Sequence, residues 1–213
     1  MSRLESLRQT SLGIRRASRF FAIALVLATP ILEAKGRNTI ASPDGILNTS
    51  QTLTSLRNTV WWSAAHERRL DPYILYAVAL VESAQLRQRA VVAPWPWALN
   101  REGQAIIPGT QAEAGDILRA SIDQGIRSID VGLMQVNLRW NGHRVARPEQ
   151  LLNPATNIRI GADILAEAMA SAPNDEALGI GRYHAGFRNE ANAYRYGRLV
   201  LAVAGRLREI FNS

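Results

Sequence analysis

The chain of 213 residues is 47% hydrophobic and 20% charged, which suits one globular domain with a core of its own plus a tail. It holds no cysteine, so disulfides, thiol nucleophiles and thiolate metal sites are excluded. The formal net charge of +7 suits a polyanionic partner, a role that bacterial cell wall fills as well as nucleic acid does.

Part of that charge lies at the start, where residues 1–34 carry five arginines against two glutamates. The later basic residues form no run, and no nucleic-acid partner is expected. The early arginines lead into "FFAIALVLATPILEA", Phe20 to Ala34, apolar until Glu33. That is the layout of a secretory signal peptide cut after Ala34, so residues 1–34 are set aside and a periplasmic location is expected. The apolar run is shorter than the roughly 20 residues of a membrane span, so no stable span is expected after cleavage. An uncleaved anchor is the alternative. Residues 35–50, "KGRNTIASPDGILNTS", read as a linker of small and turn-forming residues, and residues 51–213 as the folded domain.

A first helix is expected from about Gln51 to Leu70, with Leu53, Leu56, Val60, Trp61 and Ala64 at helical spacing. Asp71 and Pro72 then supply an N-cap and a first-turn proline for a second helix running through "ILYAVALVES", Ile74 to Ser83. On it Ile74, Leu75, Val78 and Glu82 share one face. A carboxylate there either finds a partner or has its pKa raised by desolvation, which is how a general acid is made. The bland alternative is a glutamate that curls out to solvent at a helix end. Pro94 and Pro96 forbid a regular helix in the next stretch, and "WALNREGQAII" alternates about a turn like a small hairpin. Thr110 and Glu113 have capping-box spacing and announce a helix to about Gln124. "RSIDVGLMQVN" reads as a short strand or loop. "NPATNIRIGADILAEAMA" is amphipathic, and "DEALGIGRYHAG" with "ANAYRYGRLVLAVAGRLREI" supplies the closing helices. The expected architecture is mainly α, with one small β element.

Several chemistries drop out. "GIGRYHAG" lacks the third glycine and the preceding strand of a dinucleotide fingerprint. There is no phosphate-binding loop and no Gly-x-Ser-x-Gly elbow. His66, His143 and His184 are far apart in sequence, with no paired spacing for a metal. Neither a metal nor a cofactor is expected.

Four motifs remain, and together they carry a resemblance. "LDP" with Glu82-Ser83 comes first, then Gly132-Leu133-Met134-Gln135 followed by Val136-Asn137. Third is Leu152-Asn153-Pro154 with Asn157, Ile158, Gly161 and Leu165, and fourth is Tyr183-His184-Ala185-Gly186. In this order they resemble the soluble lytic transglycosylase domain, related to goose-type lysozyme, over roughly residues 52–205. A later tyrosine before the last helix matches Tyr196. The resemblance implies a lysozyme-like α+β fold with a small β-hairpin beside an active-site groove, and peptidoglycan glycan strands as substrate. The long stretch from Ser83 to Gly132, "PWPWALN" and "GRYHAG" look like the branch that accompanies conjugative and type IV secretion systems. His184 stands where the family usually has asparagine.

By resemblance, Glu82 is the catalytic acid and then the base. It would protonate the glycosidic oxygen between N-acetylmuramic acid and N-acetylglucosamine, the substrate's own acetamido carbonyl stabilising the anomeric carbon. It would then take the proton of the muramoyl C6 hydroxyl, giving a 1,6-anhydro end. Asp130 is the nearest candidate for a second carboxylate, read as a loop residue rather than a nucleophile. Ser83 and Tyr183 would hold Glu82 in place. Met134 and Gln135 would line the groove, with Gln135 and Asn137 offering amides to the sugars, and His184 and Tyr196 complete the substrate-orienting set. Trp95 and Trp97 read either as sugar-stacking platforms or as hairpin core. Two other functions are compatible with the sequence: a lysozyme that hydrolyses the same bond with water, and a non-catalytic wall-binding scaffold.

Overall fold

The computed structural model describes residues 56–86 and 92–212. The signal and linker expectations, and that for Leu53, lie outside the described residues. The first described helix, α1 (Val60–Glu67), is capped by Thr59, whose hydroxyl accepts from Trp62 N at 3.3 Å. Its start is later than the periodicity predicts. Asn58 sits at φ 62°, a left-handed conformation that a right-handed helix does not continue through. Leu56 is nonetheless fully buried beneath the turn, so the apolar spacing reported burial where it did not report helix.

Helix α2 (Pro72–Ser83) forms where the sequence places it. Asp71 caps it, its carboxylate accepting from Tyr73 N at 2.7 Å, and Pro72 fills the first turn. Every residue from Ile74 to Leu80 is buried, so α2 is a core helix and not an amphipathic surface one. Two short antiparallel strands follow, β1 (Ala84–Leu86) and β2 (Val92–Pro94), a pairing absent from the sequence reading.

The expected hairpin is present as β3 (Leu99–Arg101) and β4 (Gln104–Ile106). Glu102 at φ 50° and Gly103 at φ 87° make the two-residue turn, both in the left-handed region that a tight hairpin demands. The hairpin is one edge of a larger antiparallel sheet of order β4-β3-β5-β6, completed by β5 (Ile129–Val131) and β6 (Val136–Asn137). Asp130 therefore lies on a strand, paired with Asn100 and Asn137, and not in a loop.

Helix α3 (Gln111–Asp123) starts at the Thr110 cap, but the Glu113 carboxylate reaches one residue further back, accepting from Gly109 N at 2.7 Å. After β6 come a single helical turn, α4 (Leu138–Asn141), two 3-10 turns, and α5 (Pro154–Ala170), which Asn153 caps through Thr156 N at 3.0 Å. The chain closes with α6 (Glu176–Ala185) and α7 (Glu190–Asn212). No helix among the described residues is long and apolar enough to cross a membrane.

Helices α6 and α7 approach backbone to backbone. A Cβ on Gly181 would overlap the Ala193 carbonyl, and one on Gly197 would overlap the Ala177 carbonyl. As positions rise along α6 their partners fall along α7, so the pair is antiparallel with a glycine on each side of the seam. The buried stripe of α7, Ala193, Tyr196, Val200, Val203, Ala204 and Leu207, packs into the core around α2. The result is a mainly helical, lysozyme-like α+β fold with the end of α2 at its centre.

Candidate active site

Glu82 lies in the last turn of α2 and is only 8% exposed. Burying a carboxylate is costly unless a donor meets it, and one does. The Tyr196 hydroxyl donates to Oε1 at 2.7 Å, and His184 Nδ1 stands 3.3 Å from the same oxygen. The imidazole of His184 lies flat on the Tyr196 ring, with centroids 4.6 Å apart and planes 3° apart. Both side chains come from the α6–α7 pair, so the glycine seam that brings these helices together also brings the Tyr196 hydroxyl and the His184 ring to one oxygen.

The phenol of Tyr196 is pushed well above its ordinary value by burial, by the charge of Glu82 and by the hydrogen bond to it. It therefore stays protonated, a fixed donor. Tyr183 is shifted the same way by burial and by the charges of Glu82 and Asp130.

The Gly132–Gln135 loop forms the neighbouring wall. Gly132 at φ 79° and Gln135 at φ 47° both turn left-handed. A Cβ at Gly132 would run into the amide of Asn157. That amide is fully buried and holds the loop from within: Oδ1 accepts from Met134 N at 2.8 Å, while Nδ2 donates to Val131 O at 2.8 Å and Leu151 O at 2.9 Å. Asn157 entered the sequence reading only as a motif letter. Its role depends on three backbone groups far away in sequence, and no local signal marks it.

Against this geometry several expected roles move. Tyr183 does not meet Glu82; its hydroxyl donates to Met134 O at 2.6 Å and so pins the loop. Tyr196 makes the contact instead, from within α7 and not ahead of it. Ser83 is fully buried, its hydroxyl bridging Ala79 O at 3.1 Å and Leu133 O at 2.7 Å, which ties α2 to the loop rather than touching the carboxylate. Met134 is fully buried beneath Gly161 and lines no open surface. Gln135 spends its Nε2 on Ala98 O at 3.0 Å and Gly132 O at 2.9 Å, closing its own strained turn. Asn137 gives Nδ2 to Asp130 at 2.7 Å and takes the Arg139 amide on Oδ1 at 3.0 Å, as the cap of α4. These conserve the shape of the site; their amides are already engaged within the protein.

The tryptophans of "PWPW" are hairpin core. Trp97 is 6% exposed, Trp95 packs edge-on against it at 5.5 Å, and Trp95 Nε1 donates to Pro108 O at 2.9 Å. Among the described residues the open aromatics are Trp140 and Phe187, about 70% exposed each. Trp140 follows Asn137 by three residues and Phe187 follows His184 by three. Exposure of a ring is not readable from spacing alone, and the sequence reading passed both over.

The arrangement can transfer a proton. Oε1 of the nearly buried Glu82 is held by the Tyr196 hydroxyl, with the His184 ring beside it. A family model described as the transglycosylase SLT domain matches residues 59–199. No curated protein and no solved structure matches the chain.

Proposed function

Because the chain belongs to the transglycosylase SLT domain family, whose members are lytic transglycosylases acting on peptidoglycan, we propose that Glu82 is its single acid and base. The observation that supports this reading is a nearly buried carboxyl group whose Oε1 takes the Tyr196 hydroxyl at 2.7 Å, beside the Gly132–Gln135 loop. With the proton on Oε2, Glu82 protonates the glycosidic oxygen between N-acetylmuramic acid and N-acetylglucosamine. The C1–O bond breaks, and the acetamido carbonyl of the muramoyl residue stabilises the positive anomeric carbon. The carboxylate, its Oε1 still held by the Tyr196 hydroxyl, then takes the C6 hydroxyl proton. The C6 oxygen closes on C1 and leaves a 1,6-anhydro end. No water is consumed and Glu82 ends as it began.

Asp130 is not needed for this sequence; its carboxylate is joined to Asn137 in the sheet. Trp95 and Trp97, as hairpin core, are not read as sugar platforms. We further read residues 1–34 as the export signal. The "PWPWALN" and "GRYHAG" stretches support a role in local wall opening for a secretion or conjugation apparatus.

The test is product analysis on purified residues 35–213 acting on sacculi. Anhydromuropeptides, lighter by one water than hydrolysis products, are expected from the wild type and should vanish in Glu82→Gln. Hydrated ends would replace this mechanism with hydrolysis, and near-normal activity in Glu82→Gln would overturn the assignment of Glu82.

A further inference from the structure

We propose that Arg208, through its bond to Asp71, is a positioning residue that sets how far α7 slides along α2 and so places the Tyr196 hydroxyl on Glu82. The inference rests on Glu82 being the acid. Near each end of their contact a side-chain hydrogen bond joins the two helices. Arg208 Nη2 donates to Asp71 Oδ2 at 2.6 Å, and the Tyr196 hydroxyl donates to Glu82 Oε1 at 2.7 Å. Asp71, the cap of α2, precedes Glu82 by eleven positions, and Tyr196 precedes Arg208 by twelve on α7. At about 1.5 Å of rise per residue these spans are about 17 and 18 Å. The helices therefore run antiparallel, with matched lengths between two pins.

Between the pins the contact is apolar. Ile74 through Leu80 are all buried on α2, and the buried stripe of α7 continues through Val200, Val203, Ala204 and Leu207. Apolar burial is non-directional and follows area, so it presses the helices together without specifying one axial position sharply. A hydrogen bond is more exacting: an O–H···O contact spans only about 2.5–3.0 Å, so an axial shift of about 1 Å breaks the bond from Tyr196. The glycine seam fixes α7 against α6 and not against α2. The directional contact that meets α2 at its far end is Arg208 with Asp71.

Asp71 is a fixed anchor. Its Oδ1 accepts from Tyr73 N at 2.7 Å, which sets the carboxylate at one place on the helix end. Arg208 also lies over the Tyr73 ring, with Cζ 5.8 Å from its centroid, and that ring packs on Phe211 at 6.1 Å. The last turns of α7 thus close on the first turn of α2. The Arg208 and Asp71 side chains are 38% and 35% exposed, so their pairing adds little to stability. What it supplies is direction.

The experiment compares Asp71→Asn and Arg208→Gln with wild type, each also in a Tyr196→Phe background, reading kcat and KM on soluble glycan strands with melting temperatures alongside. Asn caps a helix about as well as Asp; with its carbonyl kept for the cap, it turns a donor toward Arg208 and the pin is lost. Removal from either end leaves one variant to decide if the other fails to fold. Each variant should melt within a few degrees of wild type. Each should lose kcat by about three- to tenfold with KM unchanged, a part of what full loss of the Tyr196 bond removes. In Tyr196→Phe there is no hydroxyl to place, so neither change should lower kcat further. Unchanged kcat in the single variants, or the same fractional loss in both backgrounds, would overturn the proposal. A second readout needs no turnover: by NMR of labelled tyrosine Cζ, the Tyr196 resonance should move in Asp71→Asn toward its position in Glu82→Gln. An unmoved resonance would also overturn it. Near-normal activity in Glu82→Gln would instead count against the parent reading of the acid, and the NMR result would still decide the pin.

Discussion

Tyr183 and Tyr196 offer the same hydroxyl to different partners, and this separates their expected effects. Tyr196→Phe removes the 2.7 Å bond to Glu82 Oε1. A hydrogen bond to an ionisable group is worth about 1.5–3 kcal/mol, so if most of it acts in the transition state the rate falls roughly 10- to 150-fold. Tyr183→Phe removes the bond to Met134 O, which should cost about 1 kcal/mol of stability and lower the rate less than Tyr196→Phe does. Rates on purified murein, with melting temperatures alongside, check both; a larger rate loss in Tyr183→Phe would reverse the assignment. Asp130→Asn should leave the products anhydro and the rate within a few-fold of wild type, because this carboxylate supports the sheet. A loss equal to that of Glu82→Gln in a folded protein would restore Asp130 as a second catalytic carboxylate. The burial of Glu82 was legible from the sequence because it shares a helical face with Leu75 and Val78. The donor was not, since Tyr183 and Tyr196 lie on adjoining helices and only their packing decides which hydroxyl reaches the carboxyl.

At the scale of elements, the α6–α7 seam sets the site. Gly181→Ala and Gly197→Ala each place a methyl group against a backbone carbonyl that cannot rotate away. Forcing extra methylenes into a packed interior typically costs about 1–3 kcal/mol. The helices must also separate, which carries Tyr196 and His184 away from Glu82. Each variant should therefore lose stability and, in the fraction still folded, activity; thermal melts and rates per folded molecule measure the two. Full activity in the folded fraction would show that the placement of Tyr196 and His184 does not depend on the seam. Elements whose ends are fixed locally were readable in advance: the Asp71-Pro72 and Asn153-Pro154 helix starts, and the Glu102-Gly103 turn. The β1–β2 pair was not, because three-residue strands gain their register from the surrounding packing and hold no pattern of their own. The expected start of α1 failed for a related reason. Leu56 is buried in a turn, and helical spacing of apolar residues cannot distinguish the two.

For the whole molecule, three phenols tie stability to pH. Tyr76, Tyr183 and Tyr196 are all raised, Tyr76 by burial alone and the other two chiefly by burial with the charge of Glu82. Raised values in the folded chain mean that the unfolded phenols ionise first, near about 10. Their contribution is thus full below that pH and is lost as pH climbs toward the folded values. Tyr76 adds a second effect: its hydroxyl is buried with no hydrogen-bond partner among the described residues, while its ring packs edge-on to Trp61 at 5.1 Å. Tyr76→Phe keeps the ring and removes an unmet polar group that costs about 1–3 kcal/mol. It should melt higher than wild type at pH 7 and lose less stability between neutral and strongly alkaline pH; a lower melting temperature at pH 7 would contradict this. Finally, Glu82 and Tyr196 are 114 positions apart. A chain still emerging from its amino end, or one clipped ahead of residue 190, holds the acid on a helix that has nothing to aim it. On the proposed role of Glu82, the cutting tool is finished only when its final helix docks, and the order of assembly acts as a safety catch on an enzyme whose substrate is the wall that keeps the cell intact.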